Sequence, residues 1–325
     1  MGRIFRPAMR KNAACSQETQ MALDYEYLMS LRTQAEPYEY GDRESLLYAL
    51  SVGFGRDPLN ERELPFVYER HLKTVPTMAA VIAWGVEPVG AREMHEFLPN
   101  GSPRRPAQRH SGIEYATSLH GGYSIVLHSP LPQAARVSAS GRVLGAWDKG
   151  KGKGALIVTE SVVSDMDSGG ALCTLYSTIF ARDNGGFGGP TEGAPPLHSI
   201  PARPADAMDS FTTRPDQALL YRLCGDRNPH HADPAFARSI GFKMPILQGL
   251  CTYGICCRAV LKAFCNYEPE RIKSFGVRFS SHVFPGETIE TEMWKDGAIV
   301  SFRAHVRERD TVVIDNGKCE LQSAA

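Results

Sequence analysis

The strongest constraint on the fold sits late in the chain. From Leu250 onward, Tyr253, Gly254, Cys257, Val260, Leu261 and Phe264 follow at i+3, i+4, i+7, i+10, i+11 and i+14, an apolar stripe of helical period sustained over about four turns. A helix with such a face needs a layer to lie against. The residues that follow supply it. Val277, Phe279, Ser281 and Val283, then Ile289, Thr291 and Met293, then Val300, Phe302, Ala304 and Val306, then Val312 to Ile314 recur at the period of half-buried strands. Pro285-Gly286, Asp296-Gly297 and Asn316-Gly317 separate these runs, and the last two are strong hairpin signals. One long helix followed by a meander predicts an α+β unit in which an antiparallel sheet wraps the helix.

The chain has 325 residues, enough for two domains with cores of their own. Glycine and proline cluster from Gly185-Gly186-Phe187-Gly188-Gly189-Pro190 through Pro195-Pro196 to Pro201 and Pro204, a linker composition. The division expected is a basic tail over 1–36, a first unit over 37–184, the linker over 185–210 and a second unit over 211–325. In the first unit Arg43 to Val52 reads as a helix, with Leu46, Leu47 and Leu50 at helical spacing. Tyr123 to Leu127 and Ala155 to Thr159 read as strands. Lysine plus arginine and aspartate plus glutamate both number 36, so no global basic field exists to gather nucleic acid. No run approaches the roughly 18 apolar residues of a membrane span. The eight cysteines include no CxxC pair, and are read as small hydrophobes in a reducing compartment.

Chemistry concentrates in Leu223-Cys224-Gly225-Asp226-Arg227-Asn228-Pro229-His230-His231-Ala232-Asp233. Pro215-Asp216 opens a short helix before it, and Gly225 stands where that helix would end in a left-handed residue. Asp233-Pro234 opens another, as an N-cap followed by proline at the first helical position, and Gly241 closes it. Ionisable groups in an irregular turn between two helices favour function over packing. Asp226 and His231 can reach one small volume across the proline-stiffened turn and share a water, one accepting its proton while the other donates. Asn228 offers an amide to fix the carboxylate or the water. Downstream, Gln248-Gly249 opens the long helix, whose first N–H groups have no intrahelical partner, so the Gly249 N–H is a candidate oxyanion donor.

Tyr221 to His231 together with Pro245-Ile246-Leu247-Gln248-Gly249-Leu250-Cys251-Thr252-Tyr253-Gly254 resembles the signature of the MaoC-like, hydratase-2 type of enoyl-CoA hydratases, the type found in peroxisomal multifunctional enzymes. The likeness extends through Tyr38 to Pro76, Leu119-His120-Gly121 to Pro132, Asp148-Lys149-Gly150 and the Gly185 to Gly189 run. It implies a double hot-dog fold, two tandem repeats that each embrace a long helix. It also implies (3R)-specific hydration of trans-2-enoyl-CoA, with catalysis by Asp226, His231, Asn228 and the Gly249 N–H. No Gly-Asp-x-Asn-Pro-x-His occurs in the first half, which then becomes a degenerate repeat shaping an acyl tunnel. His230 and Gln248 depart from the family pattern, which commonly has an aliphatic residue and a histidine there. Both are assigned to substrate contact.

Several alternatives stand beside this reading. A hot-dog thioesterase and a non-catalytic acyl-CoA-binding protein are the rival functions. His230, His231 and Asp233 as a metal cluster is disfavoured because adjacent side chains diverge, so no metal is expected, nor any cofactor beyond the coenzyme A of the substrate. Gly150-Lys151-Gly152-Lys153-Gly154 lacks the ending of a phosphate-binding loop and reads as a solvated hairpin. Its Lys151 and Lys153, with Lys149, are candidates for the phosphates of coenzyme A. His120 reads as structural. A homodimer is expected from the family, as is a peroxisome. Arg3, Arg6, Arg10 and Lys11 before the first acid, Glu18, allow a mitochondrial address instead, a cytoplasmic location is the further alternative, and the terminal Ser323-Ala324-Ala325 is not a peroxisomal tripeptide.

Overall fold

The structure, a computed structural model, describes residues 23–82, 86–89, 111–113 and 118–322. In the first half these form α1 (Tyr25–Ser30), β1 (Arg32–Gln34), β2 (Tyr38–Tyr40), α2 (Asp42–Ser51), α3 (Leu64–Val67), α4 (Ala79–Ile82), β3 (Ser118–Leu127), β4 (Ala135–Asp148), β5 (Ala155–Asp165) and β6 (Ala171–Ala181). The second half follows with β7 (Ala207–Thr212), α5 (Gln217–Tyr221), α6 (Pro234–Ser239), α7 (Gly249–Phe264), β8 (Ile272–Phe279), β9 (Thr288–Asp296), β10 (Ile299–Val306) and β11 (Thr311–Leu321). The strands make one 11-stranded sheet, ordered β1-β4-β5-β6-β3-β8-β11-β10-β9-β7, with β2 also on β4. The two halves join where β3 lies antiparallel to β8, from Gly122 opposite Arg278 to Val126 opposite Ser274. The repeats are therefore fused edge to edge in a double hot-dog fold, and neither leaves a sheet edge exposed at the join.

Helix α7 occupies the bounds that its apolar stripe foretold, but it is buried on more than that stripe. Leu250 through Cys257 are all buried, because the sheet covers one side through β7, β8 and β9 while Pro76–Met78 of the first half covers another. Closest is the contact with α2: a Cβ on Gly254 would lie 2.5 Å from Val52 Cγ1 and 2.9 Å from Tyr48 Oη. This crossing corrects the face assigned to α2. Its buried residues are Ser45, Tyr48, Ala49, Ser51 and, just beyond, Val52, whereas Leu50 is 44% exposed and Leu46 and Leu47 are half-buried. Tyr48 and Val52 are the side chains that meet α7, and they come this close because Gly254 has no side chain. The main core spans both halves, with Tyr48, Phe54, Met78 and Ile125 of the first sharing a cluster with Tyr253, Phe275 and Phe302 of the second, while a smaller cluster around Leu28, Val143 and Ile157 lies within the first half. Among the described residues of the first half, α2 is the longest helix, at 10 residues against 16 for α7.

Four local expectations change. Asn316-Gly317 is not a hairpin turn; β11 runs through it as a bulge, with Asp315 opposite Arg278 but Lys318 opposite Gly276. Asn316 takes the left-handed φ of 53°, and a Cβ on Gly317 would meet Phe302 at 2.5 Å, so the dipeptide meets inside a strand the backbone demand that usually marks a turn. Strands β10 and β11 are instead linked through Arg307–Arg309 and a left-handed Asp310. Strand β8 ends at Phe279, and the buried Val283 beyond it accepts at its carbonyl from Leu247 N, at 2.8 Å. Residues 23–34, placed in the tail by composition, fold onto the sheet, with Leu23 and Leu28 buried and β1 paired to β4. The linker is irregular but pinned: Gly186 N and Gly188 N donate to the two carboxylate oxygens of Asp148 (2.7 and 2.8 Å), and Trp294 Nε1 donates to the Arg203 carbonyl (2.7 Å). The Asp296-Gly297 signal holds with a one-residue offset, the hairpin turning on Gly297 and Ala298 between the paired Asp296 and Ile299. Among the described residues no helix is long and apolar enough to cross a membrane.

Candidate active site

The turn after α5 is assembled by short-range hydrogen bonds that the sequence encodes. Helix α5 tightens into a 3-10 turn over Arg222–Cys224, and Gly225, at φ 140°, reverses the chain. Asp226 Oδ1 then accepts from the backbone N–H of Asn228 at 3.1 Å, an aspartate-type turn. Pro229–His231 forms a second 3-10 turn, and Asp233 caps α6 by accepting from Ala235 N and Phe236 N. The irregular segment leading into α7 is stitched to this turn on both sides. Ile246 N donates to the His230 carbonyl (3.1 Å), and His231 Nδ1 lies 2.8 Å from the Ile246 carbonyl.

That last contact fixes the proton. A carbonyl only accepts, so Nδ1 carries the hydrogen and Nε2 presents a lone pair. Burial pushes the imidazole down to about 4; the Ile246 carbonyl opposes this and the nearby Arg222 cation adds to it. His231 is therefore neutral at pH 7. Its Nε2 stands 3.5 Å from Asp226 Oδ2, with side chains 6% and 9% exposed. An imidazole lone pair and a carboxylate oxygen are both acceptors, and 3.5 Å is too long for a good direct hydrogen bond. A single water can donate one hydrogen to each.

Gly249 is the first residue of α7 and is exposed, so its N–H, which has no intrahelical acceptor, is open at the positive end of a 16-residue helix. It lies three positions after Ile246, which limits its distance from the His231 contact to about 10 Å of extended chain. The Phe279 ring forms the wall there, since a Cβ on Gly249 would stand 3.2 Å from Phe279 Cε1.

The remaining expected residues divide. Asn228 touches Asp226 through its backbone, and its side chain is half-buried. The His230 ring lies tilted against that of His231, 3.9 Å between centroids; burial and then its neighbour His231 push it down to about 4. Gln248 is fully buried and donates through Nε2 to the Ala218 carbonyl at 3.1 Å, tying α7 to α5, while its Oε1 has no partner among the described residues. Lys149, Lys151 and Lys153 are exposed on the β4–β5 hairpin, not beside the catalytic turn. The register nonetheless sets that hairpin near the site's end of the sheet, because Ala155 and Ser118 both pair with Ala181. Among the described residues no three potential ligands converge on a metal position. An open cavity of about 550 Å³ lies elsewhere, over β1, β4 and β5, where Arg142 and Glu160 already pair with each other at 2.7 Å.

Sequence reasoning missed three contributors: the Ile246 carbonyl that sets the tautomer, Phe279 beneath Gly249, and His120. The His120 ring lies 4.8 Å from Phe279, brought from the first half by the β3–β8 pairing. The glycine pair after it, inside a strand pattern, was the available signal of a bulge.

A double hot-dog sheet that presents a buried carboxylate and a neutral imidazole at water-sharing distance, next to an open helix-start amide, defines the class of acid–base hydro-lyases acting on a polarised carbonyl compound. Models of known families divide the chain in the same way: the MFE-2 hydratase 2 N-terminal domain matches residues 38–183 and the MaoC like domain matches 197–317. The chain belongs to the MaoC-like hydratase family. It is 34% identical over 91% of its length to an enoyl-CoA hydratase of Mycobacterium tuberculosis, covering 98% of that protein. It is 36% identical to the peroxisomal enoyl-CoA hydratase 2 of Arabidopsis thaliana, over 85% of this chain and 89% of that protein. The crystal structure of a MaoC-like dehydratase from Phytophthora capsici superposes with a TM-score of 0.79 at 33% identity, over 92% of this chain and 98% of that one.

Proposed function

We propose that the protein adds water reversibly across the double bond of a trans-2-enoyl-CoA to give the (3R)-3-hydroxyacyl-CoA, as a step of fatty-acid metabolism. The observation that carries this is the 3.5 Å pair of buried acceptors, Asp226 Oδ2 and His231 Nε2, in a turn bonded to the segment that leads into α7 at Gly249. The thioester carbonyl accepts from the Gly249 N–H, which stabilises the enolate-like charge that develops on that oxygen. A water held by the pair loses a proton to one of the two, the tautomer favouring His231 Nε2, while its oxygen bonds to C3. The same proton is returned to C2 as the enolate collapses. Water is consumed, both groups are regenerated, and no redox or metal step enters the balance, so coenzyme A figures only as part of the substrate. Dehydration runs the same steps in reverse.

The first half, which has no second copy of the motif, serves as the wall of the acyl and coenzyme A path, with Lys149 and Lys151 at the phosphate end. Relatives whose names place them in the peroxisome support that compartment, and subcellular fractionation tests it. Pairing of two protomers is drawn from the family and is tested by light scattering. The function is tested by incubating the protein with crotonyl-, decenoyl- and bulkier enoyl-CoA thioesters while following enoyl absorbance, free thiol and product chirality. Loss of enoyl absorbance with a (3R) product supports it. Release of thiol would mark a thioesterase, and binding without turnover an idle acyl-CoA carrier.

A further inference from the structure

We propose that His120, on the first-half strand β3, is a binding residue for the coenzyme A arm, its Nε2 accepting from the amide N–H nearest the thioester sulfur. This rests on the reading of the site as one for acyl-CoA thioesters. Strand β3 is regular against β6 up to a shift between His120 and Gly122 that leaves Gly121 as an extra residue. Such bulges turn a side chain out of its regular direction and recur beside active sites. Gly122 makes the bulge compatible with the join, because a Cβ there would stand 2.8 Å from the Val277 carbonyl oxygen of β8. The re-aimed imidazole lies against Tyr123, edge-on at 5.7 Å, and against Phe279 at 4.8 Å. Phe279 is also the wall under Gly249, so one aromatic ring separates His120 from the amide that receives the thioester carbonyl.

His120 keeps a large share of its surface accessible, yet surrounding protein desolvates it enough to push it down to about 4, with the Gly122 backbone opposing by accepting from the ring. The ring is neutral and its Nε2 is left as an acceptor. Its partner there, Ser177 Oγ, stands at 3.3 Å, longer than a good hydroxyl hydrogen bond, so a ligand N–H can compete for that lone pair. A hydrocarbon chain would gain nothing from such a group, whereas the arm leaving the sulfur carries an amide two methylenes away. The direction also fits: beyond His120, at the Ser118 end of β3, the register leads across Ala181 to Ala155 and the exposed lysines of the β4–β5 hairpin. Those lysines suit the phosphates at the far end of the same arm.

The test compares wild type, His120→Ala and His120→Gln, the last restoring an acceptor, on crotonyl-CoA and on the S-ethyl thioester of crotonate, which has no amide. Removing a hydrogen bond of this kind is expected to raise KM for crotonyl-CoA about tenfold, with kcat changed less than about threefold. The S-ethyl substrate is expected to lose nothing, and His120→Gln to recover part of the affinity. Equal losses on both substrates, or a KM unchanged in His120→Ala, would overturn the assignment. Calorimetric titration with free coenzyme A separates this from the activity itself. Were wild type inert toward crotonyl-CoA, the hydratase reading would fall, and the subsite would still stand on an about tenfold weaker binding of coenzyme A by His120→Ala, or be overturned by equal binding.

Discussion

Replacing Asp226 with asparagine changes one atom at the centre of the proposed chemistry and leaves the shape alone. The Oδ1 that accepts from Asn228 N at 3.1 Å survives as the amide oxygen, so the turn is kept. The atom facing His231 Nε2 at 3.5 Å becomes an N–H donor. A shift of about 0.5 Å brings it to hydrogen-bond distance, and the new bond occupies the lone pair that is to receive the water's proton. Two acceptors around one water thus become a closed donor–acceptor pair, removing both proton positions at once. General acid–base assistance contributes about 10² to 10⁴ in rate, and tenfold corresponds to about 1.36 kcal/mol. Asp226→Asn is therefore expected to raise the barrier by about 3–5.5 kcal/mol. The assay is the initial rate of enoyl absorbance loss with crotonyl-CoA, beside a thermal melt to show that the variant is folded. A folded variant keeping more than about a tenth of the wild-type rate would refute the shared-water argument, because that loss is below what even one acid–base group supplies.

Other consequences follow from the same geometry. His231 is held down to about 4 by burial, with Arg222 contributing; a folded value below the ordinary 6.5 keeps the base neutral down to that pH, so the acid limb of kcat/KM should fall near pH 4, and Arg222→Met should move it upward. An acid limb near 6.5 in wild type would contradict the buried, neutral imidazole. Arg258 bridges the halves, its Nη2 2.6 Å from Glu63 Oε1 and its Nη1 3.6 Å from Asp209 Oδ2; Arg258→Met strands the buried Glu63 and should cost about 3–5 kcal/mol by denaturant titration, with Glu63→Gln in the same chain restoring much of it. At Gly254 an added methyl would meet Val52 Cγ1 at 2.5 Å, so Gly254→Ala should lose about 1–3 kcal/mol and Val52→Ala should compensate; an additive pair of losses would mean that α2 and α7 do not meet there.

Local rules made most of the second half legible. The stripe from Leu250 to Phe264 fixes a helix because only a 3.6-residue period puts those side chains on one side, and Asp233-Pro234 caps α6 because its side chain and missing N–H are what a helix start requires. The carboxylate and imidazole of the catalytic turn were readable for the same reason: they lie five residues apart, and the bonds that gather them are local. Errors arose where a local signal had more than one use. Asn316-Gly317 announces a left-handed backbone, which a bulge uses as well as a hairpin, and the leucines of α2 gave way to Tyr48 and Val52 at a crossing that depends on Gly254, some two hundred positions away in sequence.

What the sequence determined by itself was therefore the kind of elements present and the chemical groups offered in one turn, since both depend on neighbours a few residues apart. Only the folded chain decided which proton His231 carries, what burial does to its basicity, which half covers the back of α7, and that a strand of the first half delivers His120 to the wall of a site belonging to the second. Those outcomes depend on distance and on exclusion of water, which pairings such as β3 with β8 create between residues that no periodicity connects.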